Sequence, residues 1–248
     1  MREGHSEPVP ERNAPKELDT SVRQNVVNFR APFLEHRKQE VGKVLEWLRA
    51  NAGDSASGDS PLARVLALCD VSRLFCGGHS FGACQTVIVA ADPELRAAFR
   101  AAILLDLWPE PLPDEVLDAG VQLPVLSVAS EHFADLPMSA HSSRLLANSA
   151  ACHSFYAAGS IHEDFSDFPF LLRTSTMRRF VNKKSTGPPR EAQAATVAAI
   201  VAHLAAHGGP GAGEAWTALL ARHGLLRPFP KCAPPGLPLA GGLPVGPA

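Results

Sequence analysis

No apolar run in this 248-residue chain approaches the roughly 20 residues a membrane-spanning helix needs, so none is expected. The opening residues, Met1-Arg2-Glu3-Gly4-His5-Ser6-Glu7-Pro8, contain no apolar segment and do not read as a signal peptide. Charge of one sign is missing too. Lys and Arg number 23 against 25 Asp and Glu, a net charge of −2, with a pI near 6.5. That balance gives no global reason to expect nucleic-acid binding. The five cysteines (Cys69, Cys76, Cys84, Cys152, Cys232) are odd in number, scattered, and free of C-x-x-C spacing. A disulfide framework and a zinc site are both disfavoured, and reduced, mostly buried thiols fit a cytoplasmic protein. There is no internal repeat. What remains, at 46% hydrophobic and 19% charged residues, is an ordinary globular composition long enough for one domain with a real core.

Residues 1–19 are polar and carry Pro8, Pro10 and Pro15, which suits a flexible lead-in. Helical patterning begins near Thr20. Val41, Val44, Leu45 and Leu48 recur at i, i+3, i+4 and i+7, an amphipathic stripe expected to pack on a sheet. Residues 51–60 form a polar loop. Three apolar runs then read as strands, around 101–105, 123–129 and 153–157, after a shorter run at 74–76. Helices are expected over 139–148, over about 191–207 with Val197, Ile200, Val201 and Leu204 on one face, and over 214–223. From Pro228 to the end, 11 of 21 residues are Pro or Gly, which predicts a disordered tail over 228–248. Strands alternating with helices over 20–227 imply an α/β domain, a parallel sheet with helices on both faces.

The chemistry centres on Gly78-His79-Ser80-Phe81-Gly82, a G-x-S-x-G pattern. Before it lies the strand-like Leu74-Phe75-Cys76, and after it a helix-compatible run from Ala83 to Ala90. Strand, tight turn and helix are the context of a nucleophile elbow, in which Ser80 sits on a strained turn. Gly78 and Gly82 are the small neighbours such a turn requires, and the helix N-terminus aims amides at a developing oxyanion. Cys76 and Cys84, which flank the elbow, read as core residues rather than a second nucleophile. A serine nucleophile needs a base, and the base an orienting acid. His162, just past the fourth strand in Gly159-Ser160-Ile161-His162, is the leading base among ten histidines. His132 and His153 are weaker candidates. His79 suits a packing role, and His203 and His207, at i and i+4 on a helix, suit a solvated face. Two placements compete for the acid: Asp106, ending the second strand, or Glu131 and Asp135 after the third.

At these positions the chain resembles the platelet-activating factor acetylhydrolases of the plasma and intracellular type II kind. The elbow Gly78-His79-Ser80-Phe81-Gly82-Ala83 is similar to that family's, with His before and Phe after the serine. Leu104-Leu105-Asp106-Leu107-Trp108 looks like its Leu-Asp-Ala-Trp segment. Gly159-Ser160-Ile161-His162-Glu163-Asp164-Phe165-Ser166-Asp167-Phe168 resembles its Gly-Ser-x-His-x-x-Phe-x-Asp-Phe block, and Ser130-Glu131-His132-Phe133 has a counterpart. The likeness is clear from Ser72 to Phe170, weaker from about Val22, and loose to about Lys231. It implies an α/β-hydrolase fold with Ser80, Asp106 and His162 as the catalytic residues, the Phe81 amide as an oxyanion donor, and no metal or cofactor. The implied activity is calcium-independent cleavage of short or oxidised sn-2 acyl groups from phospholipids. The family fold has several strands before the elbow. Here about 70 residues precede it and read as one or two helices, so the chain resembles the C-terminal half, with its first strand at an open edge.

Two other functions fit the same residues: another α/β-hydrolase esterase, or a non-catalytic fragment with an interaction role. A phospholipid substrate also requires contact with lipid. Residues 168–184 are bulky and apolar at Phe170, Leu171, Leu172, Met177 and Phe180. They are basic at Arg173, Arg178, Arg179, Lys183 and Lys184, with no acidic residue between. Such a segment suits a peripheral membrane interface next to the active-site mouth.

Overall fold

The structure is a computed structural model describing residues 20–53, 57–171, 186–208 and 225–228. The expected lead-in over 1–19, the helix over 214–223, the tail beyond Pro228 and most of the basic segment after Leu171 lie outside the described residues.

The elements run α1 (Thr20–Asn51), α2 (Pro61–Leu66), β1 (Leu74–His79), α3 (Phe81–Ala91), α4 (Pro93–Arg96), β2 (Phe99–Leu105), α5 (Asp114–Ala119), β3 (Pro124–Ser130), α6 (Glu131–Ala134), α7 (Ser139–Ala147), β4 (Ala151–Ala157), a 3₁₀ turn (His162–Phe165), α8 (Phe168–Leu171), α9 (Pro189–Gly208) and β5 (Leu226–Pro228). The sheet order is β1-β2-β3-β4-β5. The first four strands are parallel, with Gly78 opposite Leu104 and Leu104 opposite Ser127. This is the expected parallel sheet. β5, which sequence patterning does not reveal, pairs antiparallel with β4, and its Pro228 lies opposite Phe155. A proline is tolerated there because an edge strand leaves one row of amides unused.

Each face of the sheet has its own core. On one, Ala102, Leu104 and Val125 meet Ala83, Cys84 and Val87 of α3 and Leu145 and Leu146 of α7. On the other, Ile103, Leu126, Val128 and Phe155 meet Ala192, Ala195 and Ala199 of α9. Of the apolar stripe expected on α9, Ile200 and Leu204 pack against this core. Val197 and Val201 are exposed, while Ala192, Ala195, Ala199 and Ala202 are buried. Bulk is already supplied by the sheet, and small residues let the helix axis come close. His203, expected on a solvated face, lies on this packed side and is completely buried.

The stripe expected on α1 is corrected in the same way. Leu45 is buried but Val44 is exposed, because α1 packs chiefly on α3 rather than on the sheet. Among the described residues no strand precedes β1, which forms one edge of the sheet. Beside it α1 and β1 enclose an open groove of about 590 Å³, lined by Val41, Val44, Leu45, Leu48, Leu74 and Phe75.

Candidate active site

Ser80 stands between β1 and α3 with φ 57° and ψ −121°. Asp106 ends β2 with φ 45°, and these are the only non-glycine residues at positive φ among the described ones. Two strained residues at adjacent strand ends mark a site the surrounding structure holds in place. The Ser80 amide donates to Leu105 O at 2.9 Å, tying the elbow to the strand that carries the acid. Gly78 is required: a Cβ there would come within 2.2 Å of Gly82 O. Gly82 is not required for room, since a Cβ on it would meet open space. Space at the elbow is thus limited on one side only. The Phe81 amide opens α3 and donates to no acceptor among the described residues, so it is free to meet an oxyanion.

Asp106 is fully buried. Its Oδ2 lies 2.7 Å from His162 Nδ1. Its Oδ1 accepts from the Ser130 amide at 2.6 Å, and the Ser130 hydroxyl reaches Oδ1 at 3.1 Å and Oδ2 at 2.9 Å. The same hydroxyl accepts from the Phe133 amide at 3.1 Å, capping α6. Ser130 is a site residue that sequence reasoning missed. Its signal was a serine at a strand end followed by a short helix.

Of the rival acids, Glu131 accepts from the Gly159 amide at 2.6 Å and so holds the loop that carries His162. Asp135 is exposed at the end of α6. Gly159 has φ 73°, and a Cβ there would come within 2.8 Å of Gly187 N, so the His162 turn depends on this glycine. Aromatic rings stack on the His162 imidazole: Phe133 at 4.4 Å and 7°, and His79 at 4.4 Å and 29°. His79 therefore touches the base as well as preceding the serine. Burial, and then the charge on His162, hold its imidazole below the usual range against the pull of Asp106. Ser80 and His162 share no hydrogen bond here; in hydrolases that contact commonly closes only when substrate is bound.

One group of described residues has metal-like spacing, His79, Asp106 and His162, with ligand atoms within 4.8 Å. Within it Asp106 engages His162 Nδ1. The flanking thiols are poor rivals to Ser80: burial pushes Cys76 up to about 12 and raises Cys84 as well. Phe170 packs under Arg190 at 5.8 Å and Leu171 is 72% exposed. Met177, Arg178, Arg179 and Phe180 lie outside the described residues.

Among solved structures, the chain is similar to a ferulic acid esterase from Streptomyces cinnamoneus. The TM-score is 0.53 at 20% identity, over 73% of this chain and 50% of that one. That likeness supports the α/β-hydrolase-like fold. Among curated proteins, platelet-activating factor acetylhydrolase of Gallus gallus is 30% identical over 164 residues. The match covers 64% of this chain and 38% of that protein, so the chain spans well under half of its relative's length. The family model described as platelet-activating factor acetylhydrolase, isoform II, matches residues 5–219. The extent of that match means that this chain belongs to the platelet-activating factor acetylhydrolase, isoform II, family.

Proposed function

We propose that the chain is a serine esterase that releases short or oxidised sn-2 acyl groups from glycerophospholipids by acyl transfer. The observation that carries the reading is the buried Asp106–His162 contact at 2.7 Å, one strand away from the strained Ser80. Ser80 Oγ attacks the ester carbonyl while His162 Nε2 takes its proton. Asp106 holds the imidazole by Nδ1 and stabilises its charged form. The Phe81 amide and the positive end of α3 meet the oxyanion. His162 then protonates the departing alcohol, and water, deprotonated by His162, releases the acid and restores Ser80.

Family membership supports the phospholipid class of substrate. Phe168 and Leu171, 44% and 72% exposed just past the His162 turn, support contact with a lipid surface beside the site. The thiols of Cys69, Cys76 and Cys84 support a reducing, cytoplasmic setting.

A fluorophosphonate probe tests the reading. Labelling of the wild-type chain that disappears in Ser80→Ala is expected, together with release of acetate from a 2-acetyl glycerophosphocholine. Labelling that persists in Ser80→Ala would overturn it. A folded chain that takes no label would favour a second reading, an interaction module. The open edge of β1 and the groove between α1 and β1 support that alternative.

A further inference from the structure

The face of α1 that passes over the elbow carries arginines at a seven-residue spacing: Arg23, Arg30 and Arg37. Seven residues make almost two turns, so all three point the same way. Arg23 is buried and engaged through both terminal nitrogens. Its guanidinium donates to Leu112 O at 2.6 Å and to Asp114 at 3.1 Å, with Glu110 at 3.7 Å. This anchors α1 to the loop that follows the acid strand and fixes where the next two arginines fall.

Arg30 falls among aromatic rings. Its guanidinium carbon lies 5.2 Å from the Phe81 ring centroid, 5.4 Å from Trp108 and 5.3 Å from Phe29. Arg37 reaches the same Phe81 ring at 5.4 Å. Phe81 directly follows Ser80, and Trp108 stands two residues beyond Asp106, with its amide 3.5 Å from Ser80 O. The two cations therefore converge on the lip of the candidate active site. Neither has a hydrogen-bond or ion-pair partner among the described residues, unlike Arg23, Arg73 and Arg144. Two like charges drawn to one ring with no carboxylate between them repel each other, and an anion placed there would relieve that repulsion. A guanidinium held beside aromatic rings still carries a fork of N–H donors, which can grip a phosphate by two bonds at once.

We propose that Arg30 and Arg37 form the subsite for the phosphodiester group of the substrate, setting the class of ester that reaches Ser80. This rests on the esterase reading above and deepens it. In a glycerophospholipid the phosphate is only a few bonds from the sn-2 ester. An anion held at the rim of Phe81 thus presents the ester carbonyl to the neighbouring Ser80. The shared chemistry is a phosphodiester monoanion, and inorganic phosphate is the competing source.

The test uses the full chain in two arms. In the first, a soluble 2-acetyl glycerophosphocholine and the neutral ester p-nitrophenyl acetate are compared for wild type, Arg30→Gln, Arg37→Gln and the double variant. The ratio of their kcat/KM values should fall roughly tenfold to a hundredfold in the double variant, through KM for the phosphate ester. Arg30→Lys should restore part of it. An unchanged ratio would overturn the subsite.

In the second arm, binding of glycerophosphocholine and of inorganic phosphate is measured in Ser80→Ala, with and without the two Arg→Gln changes. Weaker glycerophosphocholine binding with the changes supports the proposal. Equal binding by both proteins overturns it whatever the turnover data say, as does a preference for inorganic phosphate over the diester. Absence of fluorophosphonate labelling at Ser80 would instead sink the esterase reading while leaving the binding measurement intact, so the two failures are separable.

Discussion

Asp106 is held from two sides. Ser130 supplies an amide and a hydroxyl to its carboxylate, and His162 occupies the remaining direction. Removing the charge of the acid should leave His162 free to take the wrong tautomer, so Asp106→Asn is expected to lower kcat on a soluble ester by up to about 10⁴-fold. Ser130→Ala keeps the amide donor and loses only the hydroxyl, so a smaller fall is expected, on the order of tenfold, from one lost charge-assisted hydrogen bond. Glu131→Gln and Asp135→Asn should each cost far less than Asp106→Asn. A larger loss at either would move the acid to the third strand and undo the assignment. The role of Ser130 was not legible in the sequence because it depends on register. Leu105 lies opposite Val128, which brings the end of β3 alongside Asp106, and pairing of that kind leaves no mark on the residues themselves. Ser80 and His162 were legible because turn chemistry confines each to one short motif.

Helix α1 owes its position to α3. Pro32 lies inside it and lacks the amide that would serve the carbonyl one turn back. Just beyond, buried Gln85 of α3 bridges a turn of α1. Oriented to satisfy both ends, its amide donates to Leu34 O at 3.1 Å and accepts from Lys38 N at 3.1 Å. Gln85→Leu fills the space but loses both hydrogen bonds to the main chain of α1. It should cost roughly 1–3 kcal/mol, read as a lower urea midpoint with an unchanged m-value. A midpoint equal to wild type would mean α1 is held without this bridge. The apolar periodicity of α1 and α9 showed that both were helices but found only part of each packed face: Leu45, Ile200 and Leu204 pack, while Val44, Val197 and Val201 are exposed. On α9 the close approach belongs to alanines, which a hydrophobicity pattern undervalues, and on α1 an intervening helix, not a sheet, receives the buried side.

Across the whole molecule the alternation of strands and helices was legible, and the antiparallel β5 was not, since three residues ending in Pro228 carry no strand pattern. Nor was the fate of the buried histidines. His153 of β4 and His203 and His207 of α9 gather on one face of the sheet, with ring centroids 6.5 Å apart for His153 and His203 and 4.7 Å for His203 and His207. Burial holds all three below the usual imidazole range, and His203 is lowered to about 4 by burial first and then by its two neighbours. A histidine whose folded pKa is depressed is neutral in the native protein and protonates more readily once unfolded. Its stabilising contribution is therefore complete above about pH 6.5 and is lost as pH falls towards its folded value. For His203 the loss amounts to on the order of 3 kcal/mol by about pH 4. Asp92 and Asp114, whose pKa values are lowered from 3.8, lose their contributions only below that window. The urea midpoint should accordingly fall steadily between pH 6.5 and 4, and His203→Leu should flatten the fall by more than half while leaving a folded chain at pH 7. A midpoint that holds constant down to pH 4.5 in the wild-type chain would show that the cluster accepts protons without opening the packing between α9 and the sheet.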